Sequence, residues 1–146
     1  IIGSYQTAVY RRSGESDRQM TAQQELFTYF KTQLNAYDGQ LPPQGTPYPF
    51  YYLADTRQQF GSAKSHDYGY VTLVVHVWHN NDRQRGTVSV MMGNIIGMAG
   101  SLKETSNYKW SLIRNETEQQ ILADNTTTPP LMHGWSSLRF CYSKKG

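Results

Sequence analysis

The segment Tyr68-Gly-Tyr-Val-Thr-Leu-Val-Val-His-Val-Trp-His79 alternates residue by residue, and a period of two commits it to an extended strand. Val71, Leu73, Val75 and Val77 fall on one side, a plain core face. Tyr68, Tyr70, Thr72, Val74, His76 and Trp78 fall on the other, which carries more rings and hydrogen-bonding groups than packing alone requires. The strand runs into Asn80-Asn-Asp-Arg-Gln-Arg-Gly86, a turn of amide, carboxylate and guanidinium groups. Stacking rings beside polar forks suit a polar, ring-shaped ligand such as a sugar. The candidate binding residues are therefore Trp78, Tyr68 and Tyr70 as platforms and Asn80, Asn81, Asp82, Arg83 and Arg85 as hydrogen-bonding partners. Trp135, placed between Gly134 and Ser136 after a proline loop, is a second candidate platform.

One other periodicity stands out. Thr21 followed by Gln24 is a capping pair, and Ala22, Leu26, Phe30 and Leu34 then recur at four-residue steps with Phe27 widening the stripe. This predicts an amphipathic helix over Thr21 to Leu34, stopped by Asp38-Gly39, with Leu41 to Pro49 as a proline-stiffened connection. Ser4 to Arg12 reads as a strand ended by Ser13-Gly14-Glu15-Ser16. Everything after the helix reads as extended: Phe50 to Ala54, Gln58 to Ala63, Tyr68 to His79, Thr87 to Met92, Tyr108 to Arg114, Gln119 to Leu122 and Ser136 to Tyr142. The Asn- and Gly-containing turn before Thr87 reads as a hairpin. Gly93 to Gly100 is apolar but interrupted by glycine, and reads as a bent strand. Asp124 to Gly134 reads as loop. A single amphipathic helix among β segments must lay its stripe on a sheet, so the expected fold is α+β, a curled antiparallel β-sheet clasping one α-helix.

At 146 residues the chain is expected to form one domain spanning 1–146. Only 17% of residues are charged, and 11 tyrosines with many Gln, Asn, Ser and Thr stand in for the missing charge. Such neutral polar surfaces suit extracellular or particle-surface domains. The net charge of +3 is scattered, without the basic run that marks nucleic-acid arms, so no nucleic-acid partner is expected. No window approaches the roughly 18 apolar residues of a membrane span, so membrane insertion by this domain is not expected either. The opening Ile1-Ile2-Gly3, without an initiator Met, reads as a fragment or a processed domain. Cys141 is the single cysteine and is expected to be a buried, unpaired thiol. Asn115-Glu-Thr117 and Asn125-Thr-Thr127 match glycosylation acceptors, but such triplets arise by chance in an Asn/Thr-rich chain.

Catalytic patterns are missing from the sequence. Ser65-His66-Asp67 holds the residue types of a hydrolase triad, yet neighbouring residues cannot converge as nucleophile, base and orienter, and the segment reads as a polar turn. His76 and His79 would point to opposite faces of a strand, with no further His or Cys nearby to complete a metal site. No glycine loop of the phosphate-binding kind is present. The expectation is a non-enzymatic domain without cofactor or metal.

At Asn80-Asn81-Asp82-Arg83 the chain resembles the glycan-binding head domain of a rotavirus outer-capsid spike protein, a family with a similar Asn-Asn-x-Asp-Arg turn. Thr87-Val-Ser-Val90, Asn94, Tyr108-Lys-Trp110, Phe140-Cys-Tyr142 and the basic Lys144-Lys145 exit add to the likeness. The intervals between these motifs are shorter than in the galectin-like heads of the commoner groups, so contact residues do not carry over from them. The divergent group B type, a β-sheet clasping a single helix, is the more similar. The resemblance implies a viral attachment domain on the virion surface, folded in the host cytoplasm before assembly and joined to the remainder of the spike protein. Its partners would be host cell-surface glycans, with galactose-containing oligosaccharides as the implied ligands. The competing expectation is a structural or protein-interaction domain of a viral capsid or fibre that binds no sugar.

Overall fold

The computed structural model describes residues 20–39, 42–62 and 64–146. The strand expected over Ser4 to Arg12, with its Ser13 to Ser16 break, lies outside the described residues. The chain order is α1 (Ala22–Leu34), β1 (Tyr37–Asp38), β2 (Phe50–Ser62), β3 (Ser65–His79), α2 (Arg85–Ser101), β4 (Tyr108–Leu112), a 3-10 turn (Arg114–Glu116), β5 (Glu118–Asp124) and β6 (Leu131–Lys144).

Helix α1 forms as its end signals require. The Thr21 hydroxyl accepts the Gln24 N–H at 3.2 Å, and the Gln24 side chain accepts the Thr21 N–H at 2.9 Å. At the other end Asn35 takes the left-handed conformation (φ 52°), and Ala36 N–H closes onto the Lys31 carbonyl at 3.1 Å. Its stripe of Ala22, Leu26, Phe27 and Phe30 is buried.

The strands form one mixed sheet in the order β1-β2-β3-β6-β4, with β1 parallel to β2 and every other pair antiparallel. Strands β5 and β4 share one edge of β6, covering Leu131 to Ser137 and Phe140 to Lys144 respectively. Between them Ile113 N–H reaches the Arg139 carbonyl at 2.7 Å, so the 3-10 turn is a kink in what is nearly one long edge strand. Val71, Leu73, Val75 and Val77 face the core, directly opposite Phe140, Leu138, Ser136 and Gly134 of β6. Both helices lie on this face. Phe30 of α1 meets Phe140 edge-on at 6.0 Å, and Val88 and Met92 of α2 pack onto Gly134. No described element covers the opposite face.

The α+β architecture agrees with the expectation, and four details depart from it. First, the sheet carries two helices, because Thr87–Met92 and Gly93–Gly100 form most of α2 rather than strands. Val88, Met92, Ile95 and Ala99 recur at helical spacing and are buried, while a Cβ at Gly93 or Gly97 would meet nothing. The glycines sit on the open side, where each costs the helix ~1 kcal/mol against alanine but blocks no contact. Second, the turn after β3 leads into that helix and is not a hairpin. Third, the sheet is mixed rather than antiparallel throughout, through the two-residue β1. Fourth, Leu131 to Gly134 belong to β6 rather than to a loop, and Ser65-His66-Asp67 opens β3 rather than forming a turn. Cys141 is unpaired but only half-buried, since β6 turns its even-numbered residues inward and 141 outward, between Tyr70 and Ser111.

Candidate functional site

The sheet face opposite the helices carries aromatic groups at both ends, and those around Trp78 form the denser cluster. Antiparallel register sets Trp78 of β3 between Phe50 of β2 and His133 of β6, and His76 between Tyr52 and Trp135. Cross-strand neighbours on one face are within reach of one another, so these six side chains form a continuous patch. The segment 42–49 closes over its β2 side. It holds four prolines and a cis Tyr48–Pro49 bond, and it is folded on itself by Thr46, whose N–H and hydroxyl both donate to the Pro43 carbonyl at 3.1 and 2.6 Å. Gly45 supplies the left-handed turn at φ 91°.

Between this segment and the sheet lies a groove of about 360 Å³, lined by Tyr48, Phe50, Tyr52, Trp78, Leu131 and residues Pro42 to Thr46. Its rings are braced. Tyr48 and Tyr37 contact Phe50 at 5.2 and 5.6 Å between ring centroids, and the Tyr52 hydroxyl donates to the Gly39 carbonyl at 2.6 Å. None of the ten lining residues carries a full charge, and the polar groups present are the Gln44 amide and hydroxyls of Thr46, Tyr48 and Tyr52.

Trp78 forms the wall shared with β6, lying face to face on His133 with centroids 3.8 Å apart and planes 1° from parallel. His133 in turn meets His76, with Nε2 2.7 Å from His76 Nδ1, centroids 4.9 Å apart and planes within 12°. A centroid separation so close to that N–N distance plus two ring radii places the rings edge to edge in nearly one plane, joined by an N–H···N bond. Burial, and then the neighbouring His76, hold the His133 imidazole down at about 4, with Asp124 pulling weakly the other way. At neutral pH this ring is therefore uncharged.

Of the residues singled out from sequence, only Trp78 lines the groove. Trp135 lies beside it on the same face, half-buried and paired with His76 and Gln120. Tyr68 and Tyr70 are exposed on that face too, but Tyr70 is eight residues from Trp78 along β3, about 26 Å at a strand's rise. Tyr70 there packs beneath the Arg139 guanidinium, 4.7 Å from its ring centre. Asn80, Asn81, Asp82 and Arg83 are exposed on the β3–α2 turn and Arg85 at the first position of α2; Asn81 accepts the Arg83 and Gln84 N–H groups at 3.0 Å each, and none of the five lines the groove. Tyr48, Phe50, Tyr52, Leu131 and His133 escaped the sequence reading. The signal for His133 was the alternation through β6, masked by Gly134, and the 42–49 segment reads as a plain connection until Phe50 is paired with Trp78.

His76 and His79 do point to opposite faces, His79 pairing with Met132 on the inner one. Among the described residues no three His, Cys, Asp or Glu side chains converge as a metal site. A second hollow, between α1 and residues 104–107, contains the buried Glu25, whose carboxylate is already occupied by Thr105 and Asn107. No protein-family model, curated protein or solved structure matches the chain.

Proposed function

We propose that this domain binds an uncharged sugar ring in the groove between the 42–49 segment and the exposed sheet face. The observation that carries the reading is the lining itself, three tyrosine or phenylalanine rings and the indole of Trp78 around an uncharged groove with a few neutral polar groups among its lining. The apolar face of a pyranose loses little on leaving water and gains dispersion against such rings, while amide and hydroxyl groups discriminate its hydroxyls. The absence of Lys or Arg from the lining favours neutral, galactose-type glycans over sialylated ones. A shallow, wet site of this kind supports about 4–8 kcal/mol of binding, the millimolar to micromolar range. The biological setting proposed with it, an attachment head on a virus surface meeting host-cell glycans without catalysis, rests on the motif resemblance at Asn80–Arg83.

A glycan array carrying neutral and sialylated oligosaccharides, read with wild type and Trp78→Ala, tests the reading. Binding of neutral glycans by wild type and its loss in a folded Trp78→Ala protein is the expected result. No binding by wild type to any glycan would leave the structural-domain alternative in its place.

A further inference from the structure

Resting on that sugar-binding reading, a positioning role falls to two residues outside the groove lining. One face of the Trp78 indole is covered by His133, so a ligand can stack only on the remaining face, and the pose of that face is set by where His133 holds it. His133 is itself held by His76 through the edge-to-edge N–H···N bond. We propose that the His76–His133 pair is a clamp that positions Trp78 at the groove wall, and that a second proton on the pair releases the indole and weakens ligand binding.

The bond carries the argument. It needs one proton and one lone pair between the facing nitrogens. A neutral pair satisfies this, and so does a pair with a single positive charge. A doubly protonated pair cannot, because two N–H groups then confront each other at 2.7 Å with two like charges on half-buried rings. Among the described residues, three groups face the pair in the contacts that define it. Tyr52 of β2 stands beside His76 with ring centroids 6.1 Å apart, Trp78 of β3 covers His133, and Asp124 of β5 is the carboxylate that acts on His133. Asp124 is tied to Thr126 by two hydrogen bonds, which lower its own pKa and keep it ionised in mild acid. It is partly open to solvent, so it softens the second protonation without preventing the loss of the bond. The low value for His133, about 4, is consistent with a pair that accepts its second proton late.

The test reads the free protein first, so that it does not depend on any sugar. The indole N–H resonance of Trp78, assigned with Trp78→Phe, is followed from pH 7 to 3.5. It is expected to shift with a midpoint near that of His133 in wild type and to stay still in His133→Phe, which keeps a ring under the indole but cannot titrate. In His76→Gln the midpoint should move up towards the ordinary histidine value, because the neighbouring charge is gone while an amide remains to hydrogen-bond. A merely structural role for His76 would leave that midpoint in place. A Trp78 resonance that stays still in wild type while His133 protonates, as when His76 alone swings away, overturns the clamp. With a bound neutral glycan, His133→Ala should weaken binding about tenfold at pH 7, the scale of one aromatic stack. If no glycan binds wild type at any pH, the sugar reading fails while the resonance titration still decides the clamp.

Discussion

The sulfur of Met92 lies 2.7 Å from the point where a Cβ on Gly134 would stand, with Val88 Cγ1 at 3.1 Å. Helix α2 therefore rests on bare backbone of β6, and the missing side chain is what lets it approach the sheet. Gly134→Val should push the helix outward and destabilise the fold by about 1–3 kcal/mol, the range for overpacking a core. Urea denaturation measures this, and an unchanged midpoint would mean that Met92 and Val88 yield freely.

Phe30 is fully buried, between Tyr29 and Phe140. Removing its ring leaves a void between α1 and the sheet, and Phe30→Ala should cost about 3–5 kcal/mol. A thermal melt that matches wild type would contradict the packing of α1 on this face.

Glu25 is buried and accepts hydrogen bonds from the Thr105 hydroxyl (2.5 Å), the Asn107 N–H (3.1 Å) and the Asn107 amide (2.6 Å). The same Thr105 hydroxyl accepts Trp110 Nε1–H at 2.8 Å, so one carboxylate ties α1 to the start of β4. In Glu25→Gln an amide NH₂ faces one set of these donors, and a loss of about 1–3 kcal/mol is expected. Hydrogen exchange at Asn107 provides a local check, since its amide should lose protection in the variant.

In ligand binding, Tyr48→Ala should weaken the interaction more than Arg83→Ala, because Tyr48 lines the groove and Arg83 lies on the turn beyond it. Titration calorimetry with the best array hit ranks the two. The opposite order would shift the site to the β3–α2 turn and restore the polar partners expected from sequence.

The His133 imidazole binds its proton at about 4 in the fold against 6.5 ordinarily. Between those values the unfolded chain holds the proton and the folded one does not. Stability from this group is therefore complete above pH 6.5, declines as pH falls towards 4, and stays level below it. Partial exposure limits the effect to ~1–2 kcal/mol. The difference in melting temperature between wild type and His133→Phe should change with pH across that window, and a constant difference would refute the assignment.

Local chemistry was enough to read α1 and β3 from the chain. A capping box, a four-residue stripe and a strict alternation each act over a few residues, and Thr21, Phe30 and Val71 to Val77 stand where those patterns place them. Helix α2 was illegible because its glycines and β-branched residues lower its helical propensity, and only the sheet face under Val88, Met92, Ile95 and Ala99 offsets that cost. The outward rings of β3 were visible as a set too, since a period of two sorts them without any knowledge of neighbours. Which of them share a site was not visible. That depends on β2 and β6 pairing on either side of β3, which sets Phe50 and His133 beside Trp78 while leaving Tyr68 and Tyr70 at the far end. Sequence determined which faces exist, through side-chain periodicity; strand register and the fold of residues 42–49 decided what meets on them, because those contacts join residues far apart in the chain.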